Sequence, residues 1–189
     1  MIYGLIKYKR LLIDGDRPIR GKDMIRIETE RMTLREMNLQ DEKRLMEIFS
    51  DPIAMQYYTS TKTKEEAQKW INWNIKNYEN YGVGLWICEL KETGTFVGQC
   101  GIVPQMVDGK NEMEIGYLFV RNYWHRGLAT EAALAVRDFG WKKLQLSRLI
   151  SMIYERNIPS IKVAERIGMS LDKETLIKDR PTLIYSIEV

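Results

Sequence analysis

The segment Glu114-Ile-Gly-Tyr-Leu-Phe-Val-Arg-Asn-Tyr-Trp-His-Arg-Gly-Leu-Ala-Thr-Glu-Ala132 decides how this chain is read. It is a strand that runs into a short loop, and the loop turns straight into a helix. A helix start leaves roughly four backbone N–H groups without intrahelical partners, and the macrodipole adds about half a positive charge there. Gly127 lets the backbone approach a ligand closely, and the small Ala129 keeps that approach open. Arg126 lies in the loop and Arg121 at its mouth, so the whole describes a place for a pyrophosphate. Other phosphate loops fit poorly. A Walker loop wants Gly-Lys-Ser/Thr at the helix start, where this chain has Gly127-Leu-Ala-Thr130. A dinucleotide fold wants three spaced glycines, a parallel βαβ unit and a later acidic residue, none of which is found here. On these grounds alone, a glycine that merely completes a strand-to-helix turn remains a sound alternative.

The pattern extends in both directions. Upstream, residues 25–37 alternate (Ile25, Ile27, then Met32, Leu34) and read as a first strand. Asn38 with Asp41 opens a helix that ends near Phe49, ahead of the turn Ser50-Asp-Pro52. Thr63-Lys-Glu-Glu66 has capping-box form and precedes Ala67, Trp70, Ile71, Trp73, Ile75 and Tyr78, a second helix. Residues 85–90 and 96–104 form a hairpin around Lys91-Glu-Thr-Gly94, and after the turn Asp108-Gly-Lys110 residues 112–120 make a fourth strand. Downstream, residues 129–144 are a third helix, 148–154 a fifth strand, and 159–167 a fourth helix stopped by Gly168. Residues 170–176 and 182–189 are two closing strands. The order β-αα-βββ-α-β-α-ββ predicts an α/β (α+β) fold, a mixed sheet of about seven strands flanked by about four helices.

The 189 residues suit one domain, and 44% hydrophobic with 29% charged residues excludes the disordered and fibrous classes. A chain of this length needs neither disulfide nor metal to hold it. The formal net charge of +3 resides in residues 1–24, where six Lys or Arg face three Asp; the remaining 23 basic and 23 acidic residues cancel. With Gly15, Pro18 and Gly21 as breakers, residues 1–24 are expected to be a loosely ordered basic extension, and 25–189 the single domain. The neutral body offers no broad field for a phosphate backbone, so no nucleic-acid partner is expected. Cys88 and Cys100 fall on neighbouring strands and read as reduced, buried thiols. The one histidine, His125, excludes a Cys/His zinc cluster, and no metal is expected. No apolar run approaches the ~20 residues of a membrane span, and Lys7, Lys9 and Arg10 interrupt any signal-peptide core. No membrane partner is expected, and the cytoplasm is the expected compartment.

The deciding segment resembles the pyrophosphate loop of the GNAT superfamily of N-acetyltransferases, Gln/Arg-x-x-Gly-x-Gly/Ala. Trp124-His-Arg-Gly-Leu-Ala129 matches it, with Trp124 in place of the first Gln/Arg. That replacement, and the longer match of Glu-Ile-Gly-Tyr with Tyr-Trp-x-x-Gly-x-Ala-Thr-Glu-Ala, is similar to the branch of ribosomal-protein N-terminal acetyltransferases (RimJ/RimL-like). Asn157-Ile-Pro-Ser160 with Ala164-Glu-Arg-Ile-Gly-Met169 resembles the family's Asn-x-x-Ser…Glu-Lys-Leu-Gly-Phe, with Met169 for Phe. Thr29-Glu-Arg-Met-Thr-Leu-Arg35 and Trp86-Ile-Cys-Glu-Leu-Lys91 with Val97-Gly98 also resemble this branch, so the resemblance spans residues 25–189.

The resemblance implies a sheet whose fourth and fifth strands splay and admit the pantetheine arm of acetyl-CoA, the acetyl donor. Main-chain groups of Leu118 and Val120 would pair with pantetheine, and an N–H near Val120 would hold the thioester oxygen, where amine attack develops negative charge. Amides of Arg126, Gly127, Leu128, Ala129 and Thr130 would hold the pyrophosphate. Asn157 would bond the pantetheine or the thiol end, and equally well caps the fourth helix. Glu114 is the candidate base, directly or through water; it shares strand parity with Val120 but lies about 20 Å from it along an extended strand. Glu112 is the reserve, and for it a salt-bridged strand carboxylate is the simpler reading. Many GNATs carry a Tyr seven residues beyond the helix-four Asn. That position is Ala164 here, and Ser160 is the substitute donor to the leaving thiolate, with an ordinary first-turn serine an equal alternative. Tyr154 is expected to pack, Trp70, Trp73 and Trp141 to fill core or rim, and Tyr57, Tyr58, Trp86 and Tyr117 to form a packed aromatic layer rather than an acceptor channel. The expected reaction is direct attack on acetyl-CoA, in a ternary complex, by a primary amine of a protein N-terminus, an amino acid or a small molecule. The expected form is a monomer or homodimer. A second reading is a catalytically weak module that binds CoA or acyl-CoA, supported by the missing tyrosine. A third, a nucleic-acid binder, would rest on the basic extension alone.

Overall fold

Asn38 and Thr63 open the first two helices as their sequences predict. In the computed structural model, which describes residues 25–188, the Asn38 side chain accepts from the Gln40 N–H, and Asp41 accepts from the Asn38 N–H, each at 2.9 Å. This starts a 3-10 turn (Leu39–Asp41) that continues as α1 (Glu42–Phe49). Thr63 and Glu66 form the same reciprocal pair at α2 (Lys64–Tyr81). The extension expected over residues 1–24 lies outside the described residues.

The strands are β1 (Arg26–Glu28), β2 (Met32–Arg35), β3 (Leu85–Leu90), β4 (Phe96–Val107), β5 (Lys110–Phe119), β6 (Arg148–Tyr154), β7 (Ser170–Ile177) and β8 (Arg180–Glu188). Helix α3 (Leu128–Lys142) joins β5 to β6, and α4 (Ile158–Arg166) follows β6. All eight strands share one sheet in the order β1-β2-β3-β4-β5-β6-β8-β7, and every pair is antiparallel except β5–β6. The expected α/β architecture holds, with one more strand than predicted. The single strand expected over residues 25–37 is a hairpin, β1–β2, reversing at Glu30 and Arg31 with the Thr29 N–H on the Met32 carbonyl at 2.9 Å. That turn contains neither glycine nor proline, so the sequence carries no punctuation there.

Each face of the sheet has its own core. Trp86, Ile102, Ile115 and Phe119 pack under α3 and α4, where Ala132, Ala133 and Ala164 let the helices come close. On the other face Ile87, Val103 and Val120 pack against Leu45, Ile48 and Phe49 of α1 and Ala67 and Ile71 of α2. Strand β4 is the long central element. Its Pro104 is tolerated because β3 pairs with β4 only as far as Gly101, so the missing N–H faces no ladder. At Gly101 the backbones are so close that a Cβ would lie 2.0 Å from the Gly84 carbonyl oxygen.

The parallel ladder between β5 and β6 consists of a single pair, Glu114 with Ile150. Beyond it the strands part, as expected of the fourth and fifth strands in the sequence. The parting is locally enforced. The Ile115 carbonyl accepts from the Ser151 hydroxyl at 2.9 Å, and the Met152 N–H turns to the Glu114 carboxylate at 3.4 Å instead of continuing the ladder.

Candidate active site

The gap left by β5 and β6 holds a cavity of about 60 Å³, lined by Tyr58, Glu114, Tyr117, Met152, Asn157 and Ser160 among others. Side chains alternate across a strand. Glu114 therefore shares the α1/α2 face with Leu118 and Val120, whereas Tyr117 shares the α3/α4 face with Ile115 and Phe119. Tyr58, from the loop after α1, joins Glu114 on the first face. Asn157 and Ser160, from the start of α4, join Tyr117 on the second. The cavity is thus a passage through the sheet with a carboxylate at one mouth and hydroxyls at the other. A larger hollow of about 260 Å³, lined by Glu155, Glu174, Thr175 and Pro181, contains none of the predicted site residues.

Glu114 accepts from Gln105 Nε2 at 2.6 Å and from the Met152 N–H at 3.4 Å. Burial raises its carboxyl pKa above the ordinary value, and these two hydrogen bonds hold the rise in check. Tyr58 keeps 43% of its surface exposed, so it stands at the mouth; burial of the rest, then the Glu114 charge, pushes its phenol up. The Tyr117 hydroxyl donates to the Ser160 carbonyl at 2.9 Å, and burial drives its pKa well above the usual range for a phenol. Asn157 Oδ1 accepts from the Ser160 N–H at 3.2 Å and so caps α4, while the residue also lines the cavity. Both readings of Asn157 are therefore compatible.

At the front of α3, Gly127 adopts φ 76°, a left-handed conformation that glycine takes without steric cost, and the helix begins at Leu128 with no side-chain cap. Among the described residues, the backbone N–H groups of Arg126, Gly127, Leu128, Ala129 and Thr130 donate to no protein acceptor. A row of free amides at the positive end of a 15-residue helix suits a diphosphate. The Arg126 guanidinium sits 5.2 Å over the Tyr123 ring.

Several expectations need correction. The Val120 N–H does not face the gap: it donates to the Val97 carbonyl of β4 at 2.9 Å. Leu118, paired with Gln99, has the same parity and also directs its main chain to β4. The backbone groups that turn toward the gap are those of Tyr117 and Phe119, and the Phe119 carbonyl accepts from Trp124 Nε1 at 2.8 Å. Arg121 is drawn away from the loop by Asp51, at 2.9 Å. Glu112 pairs with Arg148 at 3.3 Å, so its role as reserve base gives way to the salt-bridged reading. Trp86 is fully buried, as an aromatic layer requires, but Tyr58 and Tyr117 line the passage instead. Tyr154 packs as expected, under Arg180 at 4.1 Å. The contact of Gln105 with Glu114 could not be foreseen, because it depends on the β4–β5 register.

Cys88 and Cys100 are both buried and unpaired. Among the described residues no group of three or more His, Cys, Asp or Glu is placed to hold a metal, and no helix is long and apolar enough to cross a membrane.

Residues 31–170 match the acetyltransferase (GNAT) domain family, and the chain belongs to it. The fold of that family binds acetyl-CoA, and its members transfer acetyl groups. The protein YkkB of Bacillus subtilis (strain 168) is 43% identical over 161 residues, which cover 85% of this chain and 94% of YkkB. The N-acetyltransferase p20 of Bacillus licheniformis is 36% identical over 155 residues, covering 80% of this chain and 84% of p20. An acetyltransferase crystal structure from Agrobacterium tumefaciens str. C58 superimposes with a TM-score of 0.78 at 29% identity, covering 92% of this chain and 99% of that one.

Proposed function

We propose that the protein is an acetyl-CoA-dependent N-acetyltransferase that passes acetyl to a primary amine by direct attack in a ternary complex. The observation that carries this reading is the passage between β5 and β6, with Glu114 at one mouth and Tyr117, Asn157 and Ser160 at the other. The amides of residues 126 to 130 hold the diphosphate. Main-chain groups of Tyr117 and Phe119, rather than Leu118 and Val120, meet the pantetheine arm and the thioester oxygen. Glu114, with its raised pKa, takes the amine proton directly or through one water. Three residues, about 10 Å of strand, separate it from Tyr117, which halves the reach that Val120 would have demanded. Ser160 and the Tyr117 phenol stand together where the departing thiolate needs a hydrogen-bond donor. The Tyr117 hydroxyl, turning from the Ser160 carbonyl to the thiolate, supplies the donor that a tyrosine at Ala164 would have given. That weakens the alternative of a CoA-binding module without turnover.

The acceptor is the amine of a protein N-terminus, an amino acid or a small molecule. Glu114 is the one carboxyl group among the described cavity residues, which suits an incoming ammonium. The two unpaired thiols accord with a reducing cytoplasm, and the catalytic unit is a monomer or homodimer. Incubation of the protein with a cell extract and isotope-labelled acetyl-CoA, followed by mass spectrometry, tests the proposal. Labelled N-acetyl products are expected. CoA that raises the melting temperature, with no amine in the extract labelled above a protein-free control, would turn the reading into that of a binding module.

A further inference from the structure

Two side chains that the proposed chemistry does not use, Arg31 of the β1–β2 turn and Glu131 of α3, meet in space. Glu131, in the first turn of α3, accepts three hydrogen bonds from the β1–β2 turn: from the Thr29 hydroxyl at 2.6 Å, the Arg31 N–H at 2.8 Å and Arg31 Nε at 2.6 Å. From the other side the Lys91 N–H donates to the Arg31 carbonyl at 2.9 Å. Held at its root and at Nε, the guanidinium places Nη1 on the Arg126 carbonyl at 2.9 Å, and Nη2 lies 3.6 Å from where a Cβ on Gly127 would stand. This is the one hydrogen bond that the Arg126–Gly127 peptide makes among the described residues.

Peptide planarity turns that contact into an orientation. In a trans peptide the C=O and N–H point in opposite directions. A carbonyl drawn toward Arg31 therefore sends the Gly127 N–H away from the hairpin, to the open side of the loop. Glycine at 127 gives the peptide freedom to rotate, so the restraint has to come from outside.

We propose that Arg31 is a positioning residue for the diphosphate of the acyl donor, holding the Arg126–Gly127 peptide so that its N–H faces the anion while its ion pair neutralises Glu131. The proposal rests on the acetyl-CoA reading of the loop, and Arg31 acts through a main-chain amide rather than by touching the donor. Calorimetric titration of the full chain with CoA, and with pantetheine, which lacks the diphosphate, tests it in Arg31→Ala and Arg31→Lys. Lysine keeps the charge opposite Glu131 but lacks the fork that grips Glu131 and the Arg126 carbonyl together. In both variants the CoA Kd is expected to rise about tenfold, with pantetheine affinity unchanged. Arg31 is 45% exposed, so both variants are expected to melt close to the parent. Wild-type CoA affinity in either variant, or an equal loss for pantetheine, overturns the proposal. Gly127→Asp separates the two levels. If it leaves CoA affinity intact, the loop reading itself is wrong; if it abolishes binding while Arg31→Ala does nothing, only the positioning role fails.

Discussion

Replacing Glu114 by Gln preserves shape and an oxygen for the Met152 N–H, and removes the one carboxylate that lines the passage among the described residues. The size of the expected loss follows from the proton the acceptor must shed. An α-amine with a pKa of about 8 is about one-tenth neutral at pH 7, and an alkylamine near 10.4 only about one part in 2,500. A base that removes the proton during attack cancels that penalty, so losing it lowers kcat/KM at pH 7 by up to about tenfold for the first class and about 2,500-fold for the second. Each unit of pH returns up to a factor of ten, so by pH 9 the α-amine loss has vanished and the alkylamine loss is about 25-fold. Thiol release from acetyl-CoA, followed from pH 6.5 to 10 with one acceptor of each class, gives the two profiles. The KM for acetyl-CoA should not change. Profiles of parent and Glu114→Gln that run parallel across this range would refute Glu114 as the base.

The same substitution has an opposite effect on stability. Burial raises the folded-state pKa of Glu114, so its ionised form disfavours folding above that raised value, and the effect is absent below the unfolded value near 4.3, where both states are protonated. Glu114→Gln should therefore melt higher than the parent at pH 8 and at the same temperature at pH 4, as circular dichroism at the two pH values would show. Tyr117→Phe removes the phenol that stands beside Ser160, and kcat should fall about tenfold with little change in acetyl-CoA KM; Ser160→Ala should do less, and an unchanged kcat in Tyr117→Phe would remove that residue from the mechanism. Gly101→Ala forces a Cβ against the Gly84 carbonyl oxygen and should destabilise the domain by about 2 to 3 kcal/mol, lowering Tm by roughly 5–10 °C in calorimetry.

Local chemistry made much of this legible from the chain. The capping residues Asn38 and Thr63, the alternation through β5 and the glycine at 127 each act within a few residues, and each is found where its pattern placed it. What failed depended on neighbours distant in sequence. Parity groups Leu118 with Val120, yet only the position of β4 decides which parity meets the gap, and that assignment was reversed. The β1–β2 reversal was hidden because it is secured by Glu131, a hundred residues away, rather than by a turn-forming residue. Tyr58 and Gln105 reach Glu114 from other elements, and their spacing in the chain gives no sign of it. On the β6 side the Ile115 carbonyl accepts from the Ser151 hydroxyl, a contact that a single buried serine does not announce.

The lone rung between Glu114 and Ile150 leaves the eight strands as two plates, five on one side and three on the other, hinged near a point. Edges past that rung sit mid-sheet and yet lack the inter-plate ladder that would slow their deuterium uptake. Their amides should exchange like those of a loop in the free protein, while the β4 side of the same strand resists. A fast stripe down the middle of the sheet is the solution signature of this architecture.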